Sequence, residues 1–483
     1  MIQKAFCIHG HFYQPPRDDP LTGEIPLEAG ASPFQNWNER INDQCYRPNA
    51  ALGNFEKISF NIGPTLVDWL ASKDTTTISR IVAQDKKNYK KYGVGNAMAQ
   101  PYNHTILPLS TRQDKMTQVL WGIADFEFWY GHKPTGMWLP ETAVDMETFE
   151  VLAECGIKFT ILAPWQADSS NLNTSQPYRV TLPGKKYISV FFYNQDLSTR
   201  ISFDPGSTIN ADKFILEALY PKFDFKGKTA DKPQFLLIAS DGEVYGHHQP
   251  FRDKFLEYLL NQGMKGKAME LTYPALWLKH FPATHRIQIK DNTSWSCHHG
   301  VLRWSGNCDC TPNSQWKAPL RKAFNQIGDD LDEIYIDALK PLGLDPWELR
   351  NSYIDVIHKK KTIQELISEN TKQFVKPLDV LKVERLLRSQ TERQRLFTSC
   401  GWFFDDFDRI EPRNNVCYGA QAVWLAYFAT GIDMSQKAVS LLKAVKSWRT
   451  GLSADEVFIR QFERARATMH FSYMESPQIP GLE

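Results

Sequence analysis

The stretch Gln234–Pro250, QFLLIASDGEVYGHHQP, decides how the rest of the chain is read. It opens with the apolar run Phe235-Leu236-Leu237-Ile238-Ala239, the pattern of a strand buried on both faces of a parallel sheet. The run stops at Ser240-Asp241-Gly242-Glu243, and His247 and His248 follow within one loop. Two carboxylates and a glycine at the C-terminal end of a buried strand do little for packing. They suit chemistry, because strand–helix barrels carry their active sites at that end. On this stretch alone a plainer reading stays open, in which Asp241 caps the next helix and Glu243 is solvated. Deciding between the two takes a second carboxylate elsewhere.

Working outward, residues 1–285 alternate short apolar runs with helical stretches. Ala5–Ile8 reads as a strand ending on His9-Gly10-His11, with Gln14-Pro15 downstream and a long proline-rich loop to Pro33. Such a loop over a strand end suggests a functional lid. Further strands are expected at Ile58–Asn61, at Met98 before Pro101-Tyr102-Asn103-His104, at Gly136–Glu141, Phe159–Leu162 and Tyr187–Tyr193. Helices are expected over 65–71, 114–130 and 145–155, the last closed by Gly156. Alternation of this kind predicts an α/β domain with a parallel sheet. Strand after strand ends in His, Glu or Asp, which favours a barrel with one active mouth. No glycine-rich nucleotide fingerprint follows any strand. From about 313 the texture changes to apolar residues at three- and four-residue spacing, with helices expected over 320–339, 346–358, 376–397, 417–429 and 434–448. The expected division is a catalytic domain at 1–285 and a mainly helical domain at 286–483 that contributes to the substrate cleft.

The chain has 483 residues, 42% hydrophobic and 23% charged, and a formal net charge of +1. That is more than one ordinary core holds, and the balance of charge gives no reason to expect nucleic acid as a partner. The N-terminus MIQKAFCIHGHFYQPP has no apolar h-region, and no membrane span is expected, so a cytoplasmic location is the expectation. Eight cysteines in so long a chain are not a disulfide framework. Fourteen tryptophans and 18 tyrosines are a supply of ring faces that a carbohydrate site would use, as would a large core.

The second carboxylate is Glu141, in Met137-Trp138-Leu139-Pro140-Glu141-Thr142-Ala143. Two carboxylates on separate strand ends can converge on one bond. Retaining glycoside cleavage asks for such a pair about 5–5.5 Å apart, against roughly 6.5–9.5 Å for inversion. One of the two must stay ionised and the other must hold a proton near neutral pH. The residues alone do not say which is which.

Together, His9-Gly10-His11, Trp138-Leu139-Pro140-Glu141 and Asp241-Gly242-Glu243-Val244-Tyr245-Gly246-His247 resemble the motifs of glycoside hydrolase family 57, in that family's order over about half of the chain. The resemblance implies a distorted (β/α)7 barrel followed by an α-helical C-terminal domain. It implies retention of configuration on an alpha-glucan or oligosaccharide substrate, with Glu141 as nucleophile and Asp241 as general acid/base, and no cofactor. Family activities include α-amylase, 4-α-glucanotransferase, branching, pullulan cleavage and α-galactosidase. The C-terminal half, with Ser294–Gly300 and Ser399–Asp406, resembles a domain of unknown function attached to family members. The family's last barrel motif is placed at Trp295–Trp304. The expected substrate-binding residues are His9, His11, Gln14, His104, Trp138, Glu243, His247, Trp295, His298, Arg303 and Trp304.

Other readings stand beside this one. His9 and His11 have metal-ligand spacing, as in zinc-dependent α-mannosidases and polysaccharide deacetylases on a related barrel, whereas in the resembled family such histidines bind sugar. A catalytically silent glycan-binding barrel would not need both Glu141 and Asp241. His104 is a site residue or a hydrogen-bonded core histidine. Cys297, His298, His299, Cys308 and Cys310 form a dense group, but Cys-x-Cys is tight for a structural zinc pair, and buried cysteines beside a substrate loop are the plainer reading. Asp405, Asp406 and Asp408 are expected as helix caps or groove residues.

Overall fold

The structure is a computed structural model that describes residues 4–474. Two compact units divide it: residues up to 15 with 26–301, and residues 16–25 with those from 302 onward.

The first unit carries the strands β1 (Lys4–Phe12), β2 (Ser59–Ile62), β3 (Ala97–Met98), β4 (Phe159–Leu162), β5 (Tyr178–Thr181), β6 (Tyr187–Phe192), β7 (Gln234–Asp241), β8 (Glu270–Leu271) and β9 (His285–Arg286). One sheet has the order β3-β2-β1-β7, parallel throughout, with β8 also pairing with β1. The other has the order β4-β6-β5-β9, with β5 antiparallel to β6. The apolar run of β7 is explained by its two faces. Leu236 and Ile238 enter one core with Phe6 and Ile8, while Phe235, Leu237 and Ala239 enter another with Ala5, Cys7 and Trp138.

The expected barrel needs one correction: its ladders do not close into a ring. Residues 136–138, expected as a strand, are held by isolated bridges, Ala99 to Met137 and Gly136 to Phe159. Trp138 N–H donates to the Ala99 carbonyl at 2.8 Å and Met137 N–H to that of Phe159 at 3.1 Å, so this segment links the edge of the first sheet to β4. Pro140 stops the ladder there, because it has no N–H to offer, and opens the single turn Pro140–Thr142. On the other side, Asn194 N–H just beyond β6 donates to the Leu237 carbonyl of β7 at 2.7 Å.

The helices of this unit begin and end on legible signals. Asp74, Thr111 and Asp145 accept from the backbone of the first turn in Thr75–Tyr92, Arg112–Tyr130 and Met146–Glu154, and Gly93 and Gly131 close the first two in the left-handed region.

The second unit is helical. Its long helices are Lys317–Leu339, Pro377–Arg395, Ile410–Thr430 and Ala454–Met474. The last was not anticipated, although Ala454, Phe458, Phe462 and Ala465 bury one face at helical spacing. The stretch expected as one helix over 346–358 is split into Pro346–Ser352 and Ile354–Ile357. The helix expected to run to 448 ends at Leu442. Beyond it, buried Asp406 accepts from Ser447 Oγ at 2.8 Å and from Trp448 N–H at 3.2 Å, which bends the chain into a turn. Asp406 thus holds a loop, and Asp408 pairs with Arg449. No helix among the described residues is long and apolar enough to cross a membrane.

Candidate active site

Strand register assembles the first half of the site. In the parallel ladders His11 of β1 stands level with Asn61 of β2 on one side and Asp241 of β7 on the other, and His9 with Ser59 and Ala239. Residues two apart on a strand share a face, so His9 and His11 present to the same side. His9 Nδ1 lies 3.0 Å from Ser59 Oγ and its Nε2 3.2 Å from Asn61 Oδ1. With Asn61 oriented so that its Nδ2 donates to Gln100 Oε1 at 2.6 Å, Oδ1 can only accept, which assigns the His9 proton to Nε2. His11 Nδ1 then accepts from Asn61 Nδ2 at 2.9 Å, and His11 Nε2 lies 3.2 Å from His104 Nε2. The rings stack: His9 on Trp138 at 4.7 Å, His11 on His104 at 5.3 Å, and His104 on Tyr13 at 3.8 Å. Burial pushes His9 down to about 3, His11 to about 4 and His104 well below its usual value, with the neighbouring His11 adding to the effect on His9 and His104. The three rings are therefore neutral near pH 7 and offer hydrogen bonds without charge.

Glu141 supplies the second half. It sits in the turn after residues 136–138 at φ 58°, ψ 19°, the left-handed region that costs a side-chain-bearing residue energy; Thr142 and His104 are also at positive φ. The backbone is held there by Trp295 N–H, which donates to the Glu141 carbonyl at 2.9 Å. Its carboxylate Oε2 accepts from Trp295 Nε1 at 3.0 Å and from Ser296 Oγ at 2.5 Å. Trp295 in turn meets Trp138 edge-on at 5.1 Å. These donors favour the ionised form of Glu141.

Asp241 and Glu243 are set differently. Asp241 ends β7 with its side chain exposed, yet protein surrounds the carboxyl closely enough that burial, and then the Glu141 charge, push it up to about 7. Water that reaches the exposed carboxyl tempers the push without reversing its upward direction. The coupling itself brings Glu141 and Asp241 within electrostatic reach of one another. Glu243 is buried and pushed up to about 8, by burial first, against the Tyr46 hydroxyl that donates to its Oε1 at 2.7 Å. Gln14 Nε2 donates to that hydroxyl at 3.0 Å, and Tyr13 N–H reaches the same Glu243 oxygen at 3.3 Å. Gly242 between the two acids is required by packing, since a Cβ there would stand 2.3 Å from the Phe12 ring.

Among the expected site residues, His9, His11, His104, Trp138, Glu141, Asp241 and Trp295 are therefore joined by ring contacts, hydrogen bonds or electrostatic coupling, and Gln14 and Glu243 form the layer beside Asp241. His247 is turned elsewhere, bonding Gln44 Oε1 at 2.8 Å and meeting Trp37 edge-on. His298 is exposed. Arg303 and Trp304 belong to the helical unit: the Arg303 guanidinium lies over Phe403 and donates to the Cys310 carbonyl, and fully buried Trp304 accepts at its carbonyl from Arg321. Trp402 is likewise buried, against Arg321 and Phe324. Sequence reasoning did not single out Ser59, Asn61, Gln100, Tyr46 or Ser296 as site residues. Ser296 could have been found, next to Trp295. Tyr46 sits in an irregular helical turn far along the loop, where no pattern marks it.

The set is one of paired carboxyl groups over neutral histidines and indole rings. A model of glycosyl hydrolase family 57 matches residues 31–290, more than half of the chain. The chain belongs to glycosyl hydrolase family 57. It is a glycoside hydrolase or transglycosylase. A domain of unknown function, DUF3536, matches residues 313–470 of this family 57 enzyme. Its fold is similar to that of an exo-type maltose-forming amylase from Pyrococcus sp. ST04, with TM-score 0.73 and 15% identity, covering 95% of this chain and 88% of that one. A GH57-type branching enzyme from Pyrococcus horikoshii gives TM-score 0.60 and 14% identity over 99% and 98% of the two chains. A 4-alpha-glucanotransferase from Thermococcus litoralis gives 0.56 and 16% over 88% and 60%. At such identities the likeness is one of fold. A comparison with curated proteins gives no match.

Proposed function

We propose that this family 57 enzyme cleaves or transfers α-linked glucan with retention of configuration, Glu141 acting as nucleophile and Asp241 as general acid/base. The observation that carries the reading is the division of labour between the two carboxyl groups. Trp295 and Ser296 donate to Glu141, while burial and the Glu141 charge hold a proton on Asp241 up to about 7. An ionised group that attacks and a protonated group that releases the leaving oxygen are what double displacement asks for. The seven segments β7, β1, β2, β3, residues 136–138, β4 and β6 follow one another in that order, which we read as a distorted (β/α)7 barrel opened at its seams. The substrate class follows the amylase, branching enzyme and glucanotransferase whose folds are similar. Buried Trp138 Nε1 and Gln100 Nε2 meet no acceptor among the described residues, and a sugar hydroxyl or water would satisfy them. His9, with both ring nitrogens engaged by Ser59 and Asn61, is better placed to orient this layer than to ligate a metal.

Removal of the two carboxyl groups distinguishes their roles. Asp241→Ala is expected to keep the first step on an activated aryl glycoside and to yield, with azide, a glycosyl azide of retained configuration. Glu141→Ala with azide is expected to give the inverted product, because the anion enters from the vacated face. Interchanged stereochemistry would reverse the assignment, and wild-type activity in both variants would remove it. Product analysis with maltooligosaccharides and glycogen separates water from sugar as acceptor.

A further inference from the structure

Residues 297–310 form one continuous stretch that the chemistry above does not use. Cys297 Sγ, a ring nitrogen of His299, Cys308 Sγ and Cys310 Sγ all lie within 4.8 Å of one another. It is the one such group of His, Cys, Asp or Glu side chains among the described residues. Both arms of the stretch are shaped by backbone bonds. Gly300 turns the first arm at φ 75°, where a Cβ would stand 2.2 Å from the Asn292 carbonyl oxygen, and its N–H donates to the Cys297 carbonyl at 3.2 Å. Ser294 Oγ donates to the Gly300 carbonyl at 2.7 Å. On the second arm Cys308 N–H donates to Ser314 Oγ at 2.9 Å and Thr311 N–H to the Cys308 carbonyl at 3.0 Å.

We infer that Cys297, His299, Cys308 and Cys310 form a structural Zn²⁺ site. Three thiols and an imidazole are a soft donor set that satisfies all four positions of a tetrahedral ion, with no position left for substrate. Tetrahedral zinc with Zn–S near 2.3 Å places its ligand atoms roughly 3.4–3.8 Å apart, so the four side chains need close by only about 1 Å. On binding, each thiol gives its proton to solvent. Packing alone explains buried Cys297 and Cys308, but it gives no reason to bring exposed His299 and half-buried Cys310 onto them. All eight cysteines are thiols rather than disulfides. The short Cys-x-Cys spacing is offset by drawing the other two ligands from the opposite arm.

The site has a consequence for the active site through chain adjacency. Trp295 and Ser296, the two donors to Glu141 Oε2, directly precede Cys297. A metal that pins Cys297 fixes where those donors stand, so Cys297 is a positioning residue for Glu141.

The test is metal analysis of the full-length protein, purified reduced and without chelator. About one zinc per chain is expected. Replacement by Co²⁺ is expected to give thiolate-to-cobalt charge-transfer absorption and the visible bands of a tetrahedral site. His299→Gln, which alters an exposed side chain, and Cys308→Ser are each expected to weaken Zn²⁺ binding at least about tenfold. Cys155→Ser is expected to leave zinc content unchanged. Glu141→Ala is expected to keep its zinc, so failure of the catalytic assignment and failure of the metal site are read separately. The inference is overturned if reduced protein incubated with Zn²⁺ takes up less than stoichiometric metal, if iron is found in place of zinc, if both ligand variants keep wild-type affinity, or if mass spectrometry shows these cysteines joined in a native disulfide.

Discussion

At Glu141 a residue that carries a side chain is held in an unfavourable backbone conformation. A φ of 58° costs a residue with a Cβ roughly 1–2 kcal/mol relative to glycine. Glu141→Gly and Glu141→Ala both remove the carboxylate, so comparing them isolates the backbone. The glycine variant is expected to be the more stable by about 1 kcal/mol in thermal or denaturant unfolding, the reverse of the order in regular elements. Asp241 shows the electrostatic side of the same design. Its proton is held up to about 7 by burial first and by Glu141 second. An acid whose folded value lies above its unfolded value, near 3.9, contributes stability that is full below the unfolded value and lost as pH rises through about 7. With Asp241 as the proposed general acid, catalysis has the same sign, and the alkaline limb of kcat/KM is expected near pH 7. Removing the like charge in Glu141→Gln is expected to move the Asp241 titration to lower pH, followed by ¹³C NMR of the labelled carboxyl; an unmoved titration would show that the two groups do not sense each other.

Between elements, it is register that makes the site. A one-residue slip of β7 against β1 would turn Asp241 to the opposite face and set another residue beside His11. In the helical unit a buried charge network joins three helices. Asp332 of Lys317–Leu339 accepts from Arg393 of Pro377–Arg395 at 2.7 Å and from Gln390 of the same helix at 3.0 Å, and Arg350 of Pro346–Ser352 lies 3.8 Å away. Both guanidinium groups are buried. Asp332→Ala would leave two buried cations short of their counter-charge, and a loss of about 3–5 kcal/mol is expected, read as a lowered midpoint in denaturant unfolding of the helical unit. A loss under about 1 kcal/mol would mean that water reaches the pair and screens it.

For the molecule, the division into units does not follow the chain order. Residues 16–25, part of the loop after β1, belong to the helical unit. There Arg17 pairs with Glu411 at 3.5 Å, Asp19 with Arg464 at 2.9 Å, and Asn414 Nδ2 donates to the Pro16 and Asp18 carbonyls at 3.2 Å. A chain ended at residue 301 keeps the loop and loses those partners. Limited proteolysis is expected to cut within 16–25 in that truncated chain and to spare the same bonds in the full-length protein. Equal resistance in both would show that the loop is ordered without Glu411, Asn414 and Arg464.

Much of this was legible from local pattern. The apolar run at 235–239 announces a doubly buried strand because both faces must shed water. Asp74, Thr111 and Asp145 cap their helices because their side chains satisfy backbone donors within three residues, yet of these only the start at 145 was expected: the helix over 75–92 was missed and that over 112–130 was expected from 114. Glu141 and Asp241 were legible as candidates because carboxyl groups at strand ends do little for packing, and the structure places them within electrostatic reach of one another. What the sequence could not determine depends on partners far away in the chain. Whether the strands close into a ring is settled by hydrogen bonds between segments such as 136–138 and 159, and Pro140 limits that ladder only once its neighbours are known. Tyr46 reaches Glu243 across nearly two hundred residues, and Asp406 finds Ser447 across some forty, with no periodicity to mark either. Local chemistry is written in spacing, because neighbouring residues share one backbone geometry; long-range pairing is written only in the packing that brings distant surfaces together.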